Sequence, residues 1–218
     1  MLRSQLDHIV ITAPTLETGV KYVERRLGVR LQPGGEHPKM GTHNCLLKLG
    51  DKCYLEVIAV NPDAPKPPNL RWFELDSPDL SQPIRLATWI ARTNDIHAAS
   101  IASPIPLGKI ESMSRGQMNW LISIPENGSL PLQGIAPTLI QWPDDIHPTT
   151  SQPESGCKLV YFEGFHPEPA KVIGVIESIG FQDHFSISAL ALGQKPYLTA
   201  HIQTPNGLRK LGGSHFCD

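Results

Sequence analysis

With 218 residues and a formal charge of −2, the chain has no electrostatic pull toward nucleic acid or an anionic membrane surface, and no basic cluster interleaved with aromatics supplies one. No apolar run approaches the length of a membrane span, and Met1-Leu2-Arg3-Ser4-Gln5 enters a strand at once, leaving no room for a secretory leader. Four cysteines (Cys45, Cys53, Cys157 and Cys217) without CxxC spacing point to reduced thiols of a cytoplasmic protein rather than a disulfide frame or a zinc cluster.

Residues 6–11 form an apolar, β-branched run bounded by turn residues, which reads as a strand buried on both faces. Thr15 is placed to cap a helix over residues 16–27, whose Leu16, Val20, Val23 and Leu27 recur at helical spacing, and Gly28 ends it. A strand near residues 29–32 leads into a Gly/His-rich loop over residues 34–44, followed by strands at 45–49 and 53–60. The unit is βαβββ.

Residues 61–68 are a proline-rich link, a short helix is expected over 71–75, and residues 77–83 read as loop. The pattern then restarts, with a strand at 86–91, a cap at Thr93-Asn94-Asp95, a helix at 96–102 and strands at 109–113, 118–124 and 136–142. After a loop at 147–156 it starts a third time, with a strand at 157–162, a helix at 167–179 and strands at 186–190, 197–204 and 208–211. Leu27-Gly28 moves onto Leu107-Gly108 by about 80 positions and onto Ile179-Gly180 by about 152, and the same shifts superimpose the first strands. The expected organisation is a first module over 1–62, a linker over 63–84, a second module over 85–146 and a partial third over 155–212.

An ionisable residue inside a buried strand is costly unless it is paired, hydrogen-bonded or bound to a metal. His8 and Glu56 occupy such positions. By alternation His8 shares a strand face with Leu6 and Val10, and Glu56 with Tyr54 and Ile58.

Repeated βαβββ units that open on Leu6-Asp7-His8-Ile9-Val10-Ile11 and close the first unit on Tyr54-Leu55-Glu56-Val57-Ile58 resemble the vicinal oxygen chelate superfamily of glyoxalases, bleomycin-resistance proteins and dioxygenases. Gly34-Gly35-Glu36-His37, Gly41-Thr42-His43-Asn44, Arg71-Trp72-Phe73 and Met113-Ser114-Arg115-Gly116 are similar to segments of its bacterial glyoxalase-like domain proteins. The resemblance implies an α+β fold in which repeated βαβββ modules form a curved mixed sheet enclosing a groove, with the third module packed beside them. It also implies a divalent metal (Zn, Mn, Fe or Ni) that chelates vicinal oxygens of a small substrate. The superfamily's ligand positions fall on His8 and Glu56 in the first module, and on Thr88 and Gln141 in the second. Threonine is a poor ligand and glutamine a weak neutral one. His37 or His43 is available to complete a two-His, one-carboxylate triad.

The resulting expectation is a metal-dependent isomerase, lyase or dioxygenase acting on a small oxygenated molecule, with His8, Glu56 and Gln141 as ligands. Without metal, Glu56 is the candidate general base with a raised pKa. Arg115 is either a bidentate clamp for an anionic substrate group or a solvated hairpin arginine. His43 and Asn44 contact the substrate or serve turn chemistry, Trp120 is core or cleft wall, and His37 reads as loop surface. His97, His147, His166, His184, His201 and His215 have no mutual spacing that makes a site. No phosphate-binding loop and no Gly-x-Ser-x-Gly elbow is present. The alternative is a metal-free protein that binds or sequesters a small molecule; under either reading the resemblance implies a monomer or homodimer.

Overall fold

A computed structural model describes residues 1–77, 84–143, 147–191 and 193–214. The first unit consists of strands Ser4–Thr12 (β1), Gln32–His37 (β2), Thr42–Gly50 (β3) and Cys53–Val60 (β4), with helix Leu16–Leu27 (α1) after β1. The α1 start is a capping box, in which the Thr15 hydroxyl accepts from the Thr18 N–H and the Thr18 hydroxyl accepts from the Thr15 N–H. Its end is Gly28, left-handed at φ 70°, whose N–H reaches the Glu24 carbonyl at 2.8 Å. Gly19 lets the helix lie close to the sheet, since a Cβ there would come within 2.6 Å of Val57.

The second unit repeats this with Arg85–Thr93 (β5), Ile96–Ala102 (α2), Lys109–Arg115 (β6), Met118–Ile124 (β7) and Thr138–Gln141 (β8). Together the two units form one sheet in the order β2-β3-β4-β1-β5-β8-β7-β6. In each unit the last strand lies parallel beside the first, and β1 and β5 meet antiparallel at the centre. The sheet curls until its edges approach. Lys39, just beyond β2, pairs with Glu111 on β6 at 2.6 Å. This is the α+β fold of βαβββ modules with a curved sheet.

The expected loop over 34–44 is in large part strand. Gly35, Glu36 and His37 pair with Asn44, His43 and Thr42 of β3. Ladder bonds are made by the backbone, so a strand poor in apolar side chains leaves little periodic signal. The expected short helix is a 3-10 turn over Trp72–Glu74, and another such turn, Pro148–Thr150, lies in the expected 147–156 loop. Residues 78–83 of the expected loop, His215 and Cys217 lie outside the described residues.

The third stretch has the same element order, with Lys158–His166 (β9), Pro169–Ser178 (α3), Ser186–Ala189 (β10), Tyr197–Thr204 (β11) and Gly207–Gly212 (β12). Its sheet is separate and ordered β10-β9-β11-β12, so the strand parallel to β9 is β10 rather than the last one. Phe162, Leu198, Ala200, Ile202 and Leu211 from this sheet join Ile9, Leu27, Trp89 and Val172 in one core on the convex face of the large sheet. A second apolar cluster, including Val10, Ile58, Trp72, Phe73, Trp120 and Ile140, fills the concave face. Cys45, Cys53 and Cys157 are free thiols, and among the described residues no helix is long and apolar enough to cross a membrane.

Candidate functional site

The floor of the concave face depends on a β-bulge in β1. Leu6 pairs with Ala91 and His8 with Ile90, so Asp7 is the extra residue. Arg92 holds the bulge by donating to the Leu6 and Lys52 carbonyls at 2.6 and 2.7 Å. Leu6 consequently packs with the convex core, while Asp7 turns to the side of His8. The expected grouping of Leu6, His8 and Val10 on one face thus loses Leu6, because alternation counts residues and a bulge adds one.

Three ionisable groups meet there. His8 Nδ1 lies 2.6 Å from Asp7 Oδ1, and His8 Nε2 lies 3.5 Å from Glu56 Oε2. The imidazole stacks on Tyr54, ring centres 4.3 Å apart. The other Glu56 oxygen accepts from the Asn44 amide. The second Asp7 oxygen accepts from the Trp142 indole N–H at 3.0 Å and lies 3.1 Å from His147 Nε2. Asp7 is fully buried, and His8 and Glu56 are nearly so.

Burial works against charge on all three, and the hydrogen bonds and opposite charges outweigh it. Asp7 is held far below the carboxylate range by His147 and His8, and Glu56 is lowered to about 2, chiefly by His8. His8 is raised above its ordinary value by Asp7 and Glu56. A raised, base-like pKa for Glu56 is therefore not what the fold produces, because His8 and Asn44 satisfy the ionised form. His37 goes the other way. Burial, helped by the charges of Arg115 and His8, lowers it to about 4, so it is neutral near pH 7.

Above this floor is a narrow, closely packed cleft, walled by Tyr54, Trp72, Phe73, Trp120, Trp142 and Ile140. His37 is edge-on to Trp72 and Trp120, with ring centres at 5.1 and 6.0 Å, and Arg115 stands at the mouth. Among the described residues no carboxylate pairs with Arg115; its guanidinium lies 3.9 Å from the Met118 sulfur.

The structure thus brings His8, Glu56, Trp120 and Arg115 to one cleft, with Asn44 buried behind it and donating to Glu56. Two other candidates lie elsewhere. His43 alternates to the opposite face of β3, on the side of Cys45 and Leu47. Gln141 accepts from the Ile96 N–H at 2.8 Å and so caps α2 on the convex side, while its neighbour Ile140 faces the cleft. The pairing register gives the true counterparts. Val10 pairs with Glu56 in the first unit and Ile90 with Thr138 in the second, so Thr138 stands where Glu56 does. Thr88 takes the place of His8, and β5 repeats the bulge at Ala87, the position of Asp7.

Sequence reasoning passed over Asp7 and His147, which lie behind the cleft, and named the cleft residue His37 only as an optional third ligand or as loop surface. Asp7 could have been found by the same test as its neighbour, an ionisable residue in a buried strand. His37 was hidden by the loop reading of β2. His147 carries no local signal, since it reaches Asp7 from 140 positions away.

The donor set can be compared with what a divalent ion needs. His8 Nε2 and Glu56 Oε2, 3.5 Å apart, fit two donors on one ion at bonds of about 2.0–2.2 Å. Asp7 on the other ring nitrogen supplies the orienting carboxylate that metal-bound histidines usually have. The second unit adds only threonine hydroxyls, and among the described residues no group of three His, Cys, Asp or Glu side chains converges to hold an ion. His8 and Glu56 are thus the two donors that could hold an ion.

A family model described as glyoxalase-like domain matches residues 6–179. Among solved structures, the chain is similar to a hypothetical protein from Staphylococcus aureus, with 14% identity over 86% of both chains and a TM-score of 0.59. It is also similar to a mutant of 4-hydroxymandelate synthase from Streptomyces coelicolor, with 12% identity, 97% of this chain and 63% of that one, and a TM-score of 0.54. The chain therefore spans less than two thirds of the synthase. A methylmalonyl-CoA epimerase from Streptomyces coelicolor aligns with 18% identity over 67% of this chain and 99% of that one, at a TM-score of 0.44. At these identities the likeness shows the fold alone. No curated protein matches the chain.

Proposed function

We propose, for a chain that belongs to the glyoxalase-like domain family of the vicinal oxygen chelate superfamily, that the aromatic cleft takes up a small oxygenated molecule and that the protein acts on it as a divalent-metal-dependent isomerase, lyase or dioxygenase. The observation that carries this reading is the His8 Nε2–Glu56 Oε2 pair at the closed end of the cleft, with Asp7 fixing the far side of the imidazole. His8 and Glu56 would hold a divalent ion, which would supply Lewis-acid polarisation of a bound oxygen. The protein's own contribution is positioning. Asp7 sets the His8 ring, Asn44 sets the Glu56 carboxylate, and neutral His37 offers a hydrogen bond from the wall. Trp72, Trp120 and Trp142 keep water from the floor, and Arg115 receives an anionic group at the mouth. Glu56, ionised over the whole working range, serves as a ligand rather than a base.

The test is the metal content of purified, unchelated protein by plasma mass spectrometry, together with calorimetric titration of Mn²⁺ and Zn²⁺. Uptake of about one equivalent in the parent, lost in Glu56→Gln, supports the reading. No uptake by either protein overturns it. A second reading, metal-free binding or sequestration of a small molecule, is favoured by the neutral Thr88 and Thr138 of the second unit. Under that reading small carboxylates quench Trp120 and Trp142 fluorescence equally with and without chelator.

A further inference from the structure

The aromatic cleft is shut. Its free space is about 20 Å³, the room of a single water molecule, so nothing larger reaches His8 and Glu56 unless part of the wall moves. Much of that wall is fixed. His8, Tyr54, Glu56, Trp120, Ile122 and Ile140 stand on β1, β4, β7 and β8, each hydrogen-bonded to a strand on either side. Trp72 and Phe73 are held differently. They sit on the 3-10 turn between β4 and β5, stacked with ring centres 5.2 Å apart.

This turn is closed on itself. The Arg71 N–H and guanidinium both donate to the Asp76 carboxylate, at 2.7 and 2.5 Å, and tie residues 71–76 into a loop. Inside it the Leu75 N–H reaches the Trp72 carbonyl at 3.3 Å. The loop is fastened to the body of the protein at Glu74. The Glu74 N–H donates to the Gly128 carbonyl at 2.9 Å, and the carboxylate pairs with Arg85 at 2.5 Å. Both side chains of that ion pair are about 30% exposed, so water reaches it.

The shut form is also held against a cost. Phe73 and Glu74, two successive residues that carry a Cβ, both have φ of 57°, in the left-handed region that favours glycine. The Trp72 indole N–H and the Arg71 Nε–H are buried without a hydrogen-bond partner among the described residues. Burial of the two rings favours closure. The backbone strain and the unpaired N–H groups favour opening, which lets φ relax and water take both donors.

We propose that residues 71–76 are a lid, shut in this structure, which swings out with Trp72 and Phe73 to admit the ligand and is latched by the Glu74–Arg85 ion pair. This rests on the cleft being the small-molecule site and adds how that site is reached. With the lid down the floor is dry; with it up, His8 and Glu56 meet solvent and ligand.

Hydrogen exchange followed by NMR on the full chain tests the lid without any ligand. The lid reporters are the Trp72 indole and the Glu74 amide. The controls are the Ile9 and Leu55 amides in the sheet and the Trp89 indole, bonded to the Ile135 carbonyl in the convex core. The expected result is lid exchange by local opening, ahead of all three controls. Arg85→Gln and Glu74→Gln cut the latch from either side, so each serves if the other misfolds. Both speed lid exchange about fivefold and leave the controls unchanged. Quenching of tryptophan fluorescence by acrylamide, a small neutral molecule, rises in the same variants. Lid protons that exchange only as fast as the controls, or that neither variant speeds, overturn the lid. Faster lid exchange without a rise in quenching overturns its role as the gate. Neither readout needs metal. A protein that takes up no ion but shows opening loses the metal reading and keeps the lid, and uptake with a lid that never opens does the reverse.

Discussion

Ile9 lies opposite Trp89 where β1 meets β5, and Trp89 is the residue onto which Ile9 falls when the first unit is moved eighty positions along the chain. The pair marks a local two-fold axis. His8 with Ile90 and Val10 with Thr88 are its symmetric flanking pairs, and the bulges at Asp7 and Ala87 are mates as well. The duplication thus kept the backbone device in both copies and the ionisable groups in one.

That symmetry can be tested by restoring the missing half. Thr88→His combined with Thr138→Glu places a second donor pair across the axis from His8 and Glu56. The expected outcome is tight binding of one Zn²⁺ or Mn²⁺ and a rise in melting temperature that a chelator reverses. Uptake no greater than in the parent would sink the assignment of Thr138 as the counterpart of Glu56.

Asp7 is the most heavily committed buried charge, shared by His8, His147 and Trp142. Asp7→Asn removes one of the two carboxylates that hydrogen-bond the His8 ring and leaves the His147 contact without its carboxylate. Breaking a buried pair from one side costs about 3–5 kcal/mol, and urea denaturation of parent and variant reads it directly. A loss under about 1 kcal/mol, within the range of a surface ion pair, would mean that the cluster is not the anchor described above.

His37 sets part of the acid limb of stability. Its folded pKa, about 4 through burial, lies below the ordinary 6.5, so between these values the unfolded chain binds the proton more readily. Stability is therefore lost as pH falls from 6.5 toward 4, on the order of 3 kcal/mol from this group at the lower end. Glu56, lowered to about 2, adds a further loss below its ordinary 4.5. Unfolding midpoints measured from pH 7 to pH 4 should fall less steeply in His37→Gln; parallel curves would contradict a buried neutral His37.

Gln141→Leu separates helix capping from ligation. Removal of the acceptor for the Ile96 N–H should cost about 1 kcal/mol of stability, seen as a lowered melting temperature. Metal uptake should be unchanged. Loss of uptake with unchanged melting would return Gln141 to the site.

Much of the fold is legible in the order of residues because it rests on local rules. Thr15 and Gly28 delimit α1 through capping and a left-handed turn, and apolar β-branched runs mark β1, β4 and β5. His8 and Glu56 stand out because a charge in such a run needs a partner. The partners themselves were settled by tertiary structure. The bulge at Asp7 shifts the count of alternating residues, so Leu6 and Asp7 exchange the faces that strict alternation assigns them. The family resemblance pointed to Gln141, where the pairing of β5 with β8 places Thr138. His147 meets Asp7 only because the chain returns to β1 after completing the second unit. Sequence reasoning found the charges that had to be satisfied; only the folded sheet decided which groups satisfy them, since strand register and long-range return are set by packing rather than by any neighbouring residue.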